Sequence, residues 1–497
     1  ATKTGTIKLD AGSILQINFG GFVSAPELAN GKAGSAQFDI FDQTTGKIDI
    51  GTPAQVRDAL TSGIPFLFNG SACGYRVTGF KSCGAAASNP EGSTHSDIIL
   101  TLTPKTAKDI GLTGYAAAMF GPANIALAND DALGAAVINA GAPLSNKTLT
   151  NAQGQQLYQQ IYSGFAPDVS GSARAIAIAL TDQASSIVGD RQRKLRMYAG
   201  QDGDITLWAQ EFGQRLSIPN RSTAGGYNNS GFGIAMGMDG GSISSGRYGG
   251  AFTFYAGDTS EKAPRDSKTS SQWYMLTGYS DWRGKHLFFD SNVNIAYGHL
   301  DGKRTLSIDD LSGTTLITRS AEGKRASALA SGGFSTGMIF NSGGTVFAPQ
   351  FSMDALTLRE EGYTESGGGP GMDLRVQPYY ASSLRAFLGA DLRQDLKMGS
   401  FFLQPELRAG YRYDLVSGQE KLKINFAGDQ QVTPTVAPGS EFTITGPDPA
   451  KGNLVLGAGL AVTTDAWSIG VNYDYIRGFG GTKGINQDAM LTLIGRI

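Results

Sequence analysis

From about residue 205 onward the chain alternates apolar and polar side chains over stretches of about ten residues, each closed by a turn rich in Gly, Asp and Ser. Between His286 and Gly298, Leu287, Phe289, Val293, Ile295 and Tyr297 share one face of an extended chain, while Asp290, Asn292 and Asn294 share the other. The same alternation sets Leu403, Leu407, Ala409, Tyr411 and Tyr413 against Gln404, Glu406, Arg408 and Arg412. It sets Leu384, Ala386, Leu388, Ala390 and Leu392 against Arg385, Asp391 and Arg393, and Ile469, Val471, Tyr473 and Tyr475 against Asn472 and Asp474. One face suits lipid and the other water, which is what an antiparallel transmembrane β-barrel requires. Its lumen would be lined by both signs of charge through Asp354, Arg385, Asp391, Arg393, Gln404, Glu406 and Arg408, and its terminal strand would run through Leu491, Leu493 and Ile497. Strands of a soluble sandwich alternate too, but they cluster near about 5–6 residues.

Upstream the periodicity changes twice. Residues 1–103 read as short strands with tandem T-G-x-I and A-G-S-x-L-x-I rungs, the pattern expected at the end of a β-solenoid, and Ala1 falls inside it as though further rungs preceded. Residues 104–165 read as helical: Thr103 before Pro104 as a cap, Ala-rich stretches from Tyr115 and Ala132, and a helix from Asn151 that ends at Gly164. Residues 166–200 hold a slim, Ala-rich segment, 171–197, that is basic at its far end through Arg191, Arg193, Lys194 and Arg196, with Arg174 near its start. A helix of about 25 residues is roughly 38 Å long, comparable with the height of a membrane barrel. The segment could therefore thread a barrel of about twelve strands built by residues 201–497, with its cations near Glu406, Asp391 or Asp354. A surface helix joining two domains is the alternative.

Composition narrows the choices. Only 17% of the 497 residues are charged and 69 are Gly, as in turn-rich β proteins. No apolar run approaches the roughly 18 residues of a membrane helix, so any crossing is made by strands. A formal net charge of -2 argues against a nucleic-acid partner. Cys73 and Cys83 stand ten positions apart and read as a small disulfide loop of an oxidising compartment, with a pair of free thiols as the alternative. Three scattered histidines give no metal site, and no cofactor is expected. The paired acids Asp130-Asp131, Asp309-Asp310 and Glu360-Glu361 read as solvated turn or cap residues, and neither Gly-x-Ser-x-Gly nor His-Glu-x-x-His occurs, so no catalytic residue is expected.

In its order of parts the chain resembles the classical (type V) autotransporters of Gram-negative bacteria. The resemblance is carried by the helical stretches from Leu112 and Asp131, the junction from Phe165 to Gly171, and Leu207 to Gly213 opening the barrel. Further on it is carried by Ser230 to Asp239, Leu407 to Tyr413, Phe426 to Gly428, Phe442 to Gly446, and Leu456 to Leu460. It implies a twelve-stranded translocator barrel plugged by a linker helix, preceded by a solenoid-like passenger remnant and a short helical region. It also implies an outer-membrane location with the chain's own passenger on the cell surface, contact with membrane lipid and lipopolysaccharide, and a transient encounter with the barrel-assembly machinery. The family's last residue is usually aromatic and here it is Ile497, which bears on assembly rather than on fold. Self-cleavage, which in this family resembles cyclisation at a linker Asn, is not expected, since residues 174–197 contain no Asn. Two other readings are a porin-like channel with an accessory N-terminal domain, and a carrier of a passenger enzyme whose site lies upstream. The resemblance further implies long outer loops at 256–270, 301–323, 359–375 and 417–451.

Overall fold

A computed structural model of the chain describes residues 7–8, 36–43, 48–49, 64–75, 96–142, 150–167, 178–180, 187–193, 205–220, 225–242, 244–262, 266–417, 421–428, 441–446, 450–481 and 483–496. Fourteen strands form one antiparallel sheet, and two of them, Phe340–Ser342 and Leu396–Met398, are short stubs beside turns. The remaining twelve close on themselves. They are β1 (Thr206–Ile218), β2 (Tyr227–Ser242), β3 (Gly246–Glu261), β4 (Asp266–Arg283), β5 (Leu287–Asp309), β6 (Thr315–Met338), β7 (Thr345–Glu360), β8 (Tyr379–Gln394), β9 (Phe401–Ser417), β10 (Gly452–Thr463), β11 (Trp467–Phe479) and β12 (Ile485–Arg496). Each pairs with the next, β6 meets β7, and β12 pairs with β1 from Thr206 opposite Arg496 to Ser217 opposite Ile485, so the sheet closes into a ring.

The alternation read from the sequence becomes the two faces of this wall. Outward, Val293 is 66% and Leu388 69% exposed, amid Leu207, Phe289, Ile295, Leu407, Tyr411 and Val471. Inward, Asp391 and Arg247 are fully buried. Large inward rings lie over glycines of the neighbouring strand. A Cβ on Gly237 would sit 2.3 Å from the Trp208 ring, and one on Gly249 would sit 2.2 Å from Tyr279, so both positions need a residue without a side chain.

The strands are longer than the ten residues suggested by the apolar pattern, reaching 23 in β5 and 24 in β6. Segments 256–270 and 301–323, expected as long loops, are instead mostly strand among the described residues, through β3 to β6, with residues 310–314 outside the strands. Ladder hydrogen bonds need no apolar face, so pairing continues where both faces are polar, as in Lys268 opposite Lys303. The 361–378 and 418–451 connections are long as expected, and strands within them, Tyr363–Thr364, Leu374–Val376, Lys421–Phe426 and Phe442–Thr445, form a second, four-stranded sheet.

Among the described residues before 168 lie four helices, α1 (Ala107–Ile110), α2 (Gly114–Leu127), α3 (Asp131–Ala140) and α4 (Asn151–Gly164). The expected cap at Thr103 is corrected. Pro104 is the last residue of strand Ser96–Pro104, and Thr106 caps α1 reciprocally with Asp109. Those hydrogen bonds from Thr106 hold the Asp109 carboxyl below its ordinary range. Thr150 and Gln153 form a second capping box on α4. Tyr158, fully buried, donates to the Val137 carbonyl, and burial pushes its phenol well up. Strands Ala36–Gln43, Ser96–Pro104 and Phe68–Tyr75 pair antiparallel, and Phe66 stacks on Tyr158. A solenoid would stack parallel rungs, so among the described residues the solenoid expectation is corrected between 36 and 104. Among the described residues the one parallel pair is Ile7–Lys8 with Ile48–Asp49. A short alternating strand looks the same in sequence whichever way its neighbour runs. Cys73 is disulfide-bonded, and Cys83, the chain's only other cysteine, lies outside the described residues.

Candidate functional site in the barrel lumen and its mouth

Residues 178–180 and 187–193 are helical and mostly buried. Successive helical residues point about 100° apart, so four in a row sample every direction around the axis. Residues 190–193 use this fully. Asp190 accepts from Asn472 Nδ2 of β11 at 2.9 Å and Thr492 Oγ1 of β12 at 3.2 Å. Arg191 forks onto Asp239 of β2 with both nitrogens at 2.7 Å. Gln192 donates to the Ser280 carbonyl of β4 at 3.1 Å and the Ser291 carbonyl of β5 at 3.2 Å. Arg193 forms ion pairs with Glu406 of β9 at 3.1 Å and with Asp190 at 3.2 Å. Contacts to six strands from around the ring put 187–193 inside the wall.

Asp239 is the hub of the largest of these clusters. It also accepts from Arg247 Nε at 2.6 Å and from the Tyr279 hydroxyl at 2.8 Å, which in turn accepts from Trp208 Nε1 at 2.8 Å. A buried carboxylate shared by two guanidiniums and a phenol is fully satisfied, the condition under which burying charge is tolerable.

The residues singled out in the sequence fall as follows. Arg385, Asp391, Arg393, Gln404, Glu406 and Arg408 face inward, and Asp354 sits opposite Arg385 in register. Glu406 meets the lumenal segment; Asp391 instead accepts from Gln350 Nε2 at 3.1 Å. Arg393 pairs with Asp395 at 2.9 Å, Gln404 donates to Asp395 at 2.9 Å, and Arg408 pairs with Asp474. A polar cavity of about 140 Å³ separates Gln192 and Arg193 from Asp354 and Arg408. Leu491 and Leu493 face outward on β12. Arg174, Lys194, Arg196 and Ile497 lie outside the described residues. Asp190, Asp239, Arg247 and Tyr279 were not anticipated; the only local signal was the lone acid in the otherwise apolar and glycine-rich run from Ser230 to Gly241. Among the described residues no group of His, Cys, Asp and Glu is placed to hold a metal.

At the rim opposite Thr206 and Arg496, the helices meet the tall β5–β6 hairpin. Arg304 donates to the Gly164 carbonyl at 3.0 Å, the Met372 carbonyl at 2.8 Å and Glu365 Oε2 at 2.5 Å. Arg319 forks onto Asp130 at 2.7 and 2.9 Å, and Asp130 caps α3 through Leu133 N at 3.2 Å. Two members of the acid pairs are thereby corrected: Asp130 is a cap but a buried, paired one, and Glu360 is buried against Arg325, whereas Asp131, Asp309 and Glu361 are exposed as expected. Asp130 and Glu360 both face a neighbouring strand's arginine, a partner that spacing along the chain cannot reveal. On the other flank Phe165 packs edge-on against Phe426, which stacks on Phe442.

A sequence model of the autotransporter beta-domain matches residues 207–474, from the start of β1 into β11. The chain belongs to this family. No curated protein is similar enough in sequence to match it. Among solved structures it is similar to the translocator domain of the autotransporter NalP from Neisseria meningitidis, at 13% identity and TM-score 0.49, covering 67% of this chain and 100% of that one. It is also similar to the beta domain of the Bordetella autotransporter BrkA, at 17% identity and TM-score 0.39, covering 59% and 99%. The transport unit of AIDA-I from Escherichia coli gives 14% identity and TM-score 0.37, covering 57% and 89%.

This autotransporter is thus an outer-membrane translocator for a passenger domain, held in a Gram-negative outer membrane by its barrel. The family's role is transport.

Proposed function

We propose that the segment through 187–193 is the last pass of the chain's own export and that residues 1–165 are the passenger, displayed at the cell surface. The observation that carries this reading is a change of rim. Gly164 is bound by Arg304 at the tall rim, whereas Thr206 starts β1 at the rim it shares with Arg496. A chain leaving one rim and resuming at the other has to cross, and the contacts of residues 190–193 lie on that course. With the two terminal strands starting and ending toward the periplasm, the helices and the four-stranded sheet stand outside. The outward band of Val293, Leu388 and Leu407 would face membrane lipid, with lipopolysaccharide in the outer leaflet. The terminal strand through Leu491 and Leu493 would meet the barrel-assembly machinery transiently, and the linker helix would extend over the rest of 171–197.

Protease added to intact cells should remove material preceding residue 166 and leave a membrane-protected fragment of the barrel with its lumenal segment. Cleavage only after the outer membrane is permeabilised would defeat the reading.

A further inference from the structure

The helices do more than lie beside the barrel. On β5 the even-numbered residues face inward, and on β6 the odd-numbered ones do, as Asp290, Asn294, Arg325 and Ser327 show deep in the wall. The residues that grip the helices, Arg304, Leu306 and Ile308 on β5 and Ile317, Arg319 and Ala321 on β6, continue those inward faces beyond the ring. The four-helix unit therefore sits on the inner side of the hairpin, above the opening. Across from the hairpin, α2 contacts the Lys421–Phe426 and Phe442–Thr445 strands, and Phe165 meets Phe426. Hairpin and sheet form a cradle with the helices between them.

Two features make this cradle a closure rather than loose packing. Arg304 is 4% exposed and joins three pieces of chain, the end of α4, the Met372 carbonyl and Glu365, so withdrawing α4 takes one of three acceptors from a buried guanidinium. Asp130 uses one carboxylate for the α3 cap, the Arg319 fork and Gly371 N at 3.3 Å, so the helix start and the barrel loop complete each other. None of these residues is among those that hold 190–193, and the two sets of contacts are made by different atoms at different heights.

We propose that the helical unit is an outer gate, which closes the mouth of the barrel independently of the segment inside it. The inference rests on the reading above only in that both concern the same pore; it requires no statement about how residues 1–165 reached the surface.

The test is conductance of the full chain, purified from outer membranes and placed in planar bilayers, with heat-modifiable gel mobility reporting barrel integrity. Three variants are compared: R191A/R193A, which frees the lumenal segment, R304A/R319A, which frees the gate, and the combination of all four. Each pair alone should leave conductance near the parent's, and the combination should raise it several-fold. An R191A/R193A chain that already conducts like the combination overturns the proposal, as does a combination no more conductive than the parent. Should R304A/R319A fail to assemble, D130C/R319C in the R191A/R193A background replaces it. Linking the two thiols with a cleavable reagent should close the pore and cutting the link should reopen it. The same reductant applied to R191A/R193A without the new cysteines should leave the current unchanged. A pore indifferent to the link overturns the gate equally.

Discussion

The two halves of the lumen are built differently. Along β1–β5 the inward wall is aromatic, with Trp208, Phe212, Tyr255, Trp273 and Tyr279 all 5% exposed or less, and its charge centres on Asp239 and Arg247, with Asp281 and Asp290 next along the same cross-strand row. Along β7–β12 the wall is charged from strand to strand, through Arg385, Asp391, Arg393, Arg408, Asp474 and Asp488. The lumenal segment is matched to both: Leu180, Ile187 and Val188 join the apolar cluster that contains the aromatic wall, while Asp190 and Arg193 meet polar groups of β9, β11 and β12. A ring of charge alone would leave those aliphatic side chains against water, and a ring of aromatics alone would strand the charges. The difference teaches that rigidity is expected on the first wall, where rings are wedged over glycines, and adaptability on the second, where flexible side chains can exchange partners.

The largest effect should come from the one point where the aromatic wall concentrates charge. Asp239→Ala leaves Arg191 and Arg247 buried against each other without their shared carboxylate, a loss of about 3–5 kcal/mol by the usual cost of breaking a buried pair. Denaturant unfolding of the purified full chain should show it as a clearly lowered midpoint; a midpoint equal to the parent's would mean that the cluster carries no net stabilisation. Next come paired glycine substitutions. Gly249→Ala drives a methyl to 2.2 Å from the Tyr279 ring, which cannot turn without surrendering Asp239 and Trp208, so about 1–3 kcal/mol should be lost. Gly459→Ala on the charged wall meets the tip of Asn472 at 2.1 Å, a side chain that gives up a single hydrogen bond, to Asp190, when it swings away, and should cost less than that. Equal costs at the two sites would remove the distinction between the walls.

Much of this was legible in the sequence where the pattern was local. Strands such as β8 and β9 alternate so cleanly that their inward residues, Arg385 and Glu406 among them, could be named from period two alone. Asp239 could not, because it follows Gly237 and Met238 and precedes Gly240 and Gly241, a run that reads as a turn; only closure of the ring carries it to Arg191, 48 residues away in the chain. The tall β5–β6 hairpin was missed for a related reason. Its outer half is mostly polar on the outward side, and its inward apolar residues, Leu306, Ile308 and Ile317, are too few to mark a strand, so its order comes from ladder bonds and from the helices it grips. The cap at Thr106 was displaced by three residues because Thr103 and Pro104 also satisfy the local rule, and the strand pairing that claims them, Phe68 with Pro104, is not local.

A smaller effect tests whether the hydroxyl of the aromatic wall matters apart from its ring. Tyr279→Phe keeps the ring over Gly249 but removes the acceptor of Trp208 Nε1 and one donor to Asp239, so about 1–2 kcal/mol should be lost, less than for Asp239→Ala because both arginines keep their carboxylate. A loss as large as that of Asp239→Ala would place the hub at the tyrosine.

The smallest is expected on the charged wall, at the very residue that sequence alone would have ranked first. Glu406→Gln takes away the charge facing Arg193, yet the guanidinium keeps Asp190 at 3.2 Å, and the new amide still offers an oxygen at the old position. Glu406 is also 14% exposed at its side chain, and Arg193 lines the polar cavity, where water can share in solvating what remains. The change should therefore stay below about 1 kcal/mol. Measured beside Asp239→Ala in the same chain, it asks whether a buried charge is held by one indispensable partner or by several replaceable ones. A Glu406→Gln penalty matching that of Asp239→Ala would show that the charged wall is as unforgiving as the aromatic one, and the asymmetry of the lumen would then be one of appearance only.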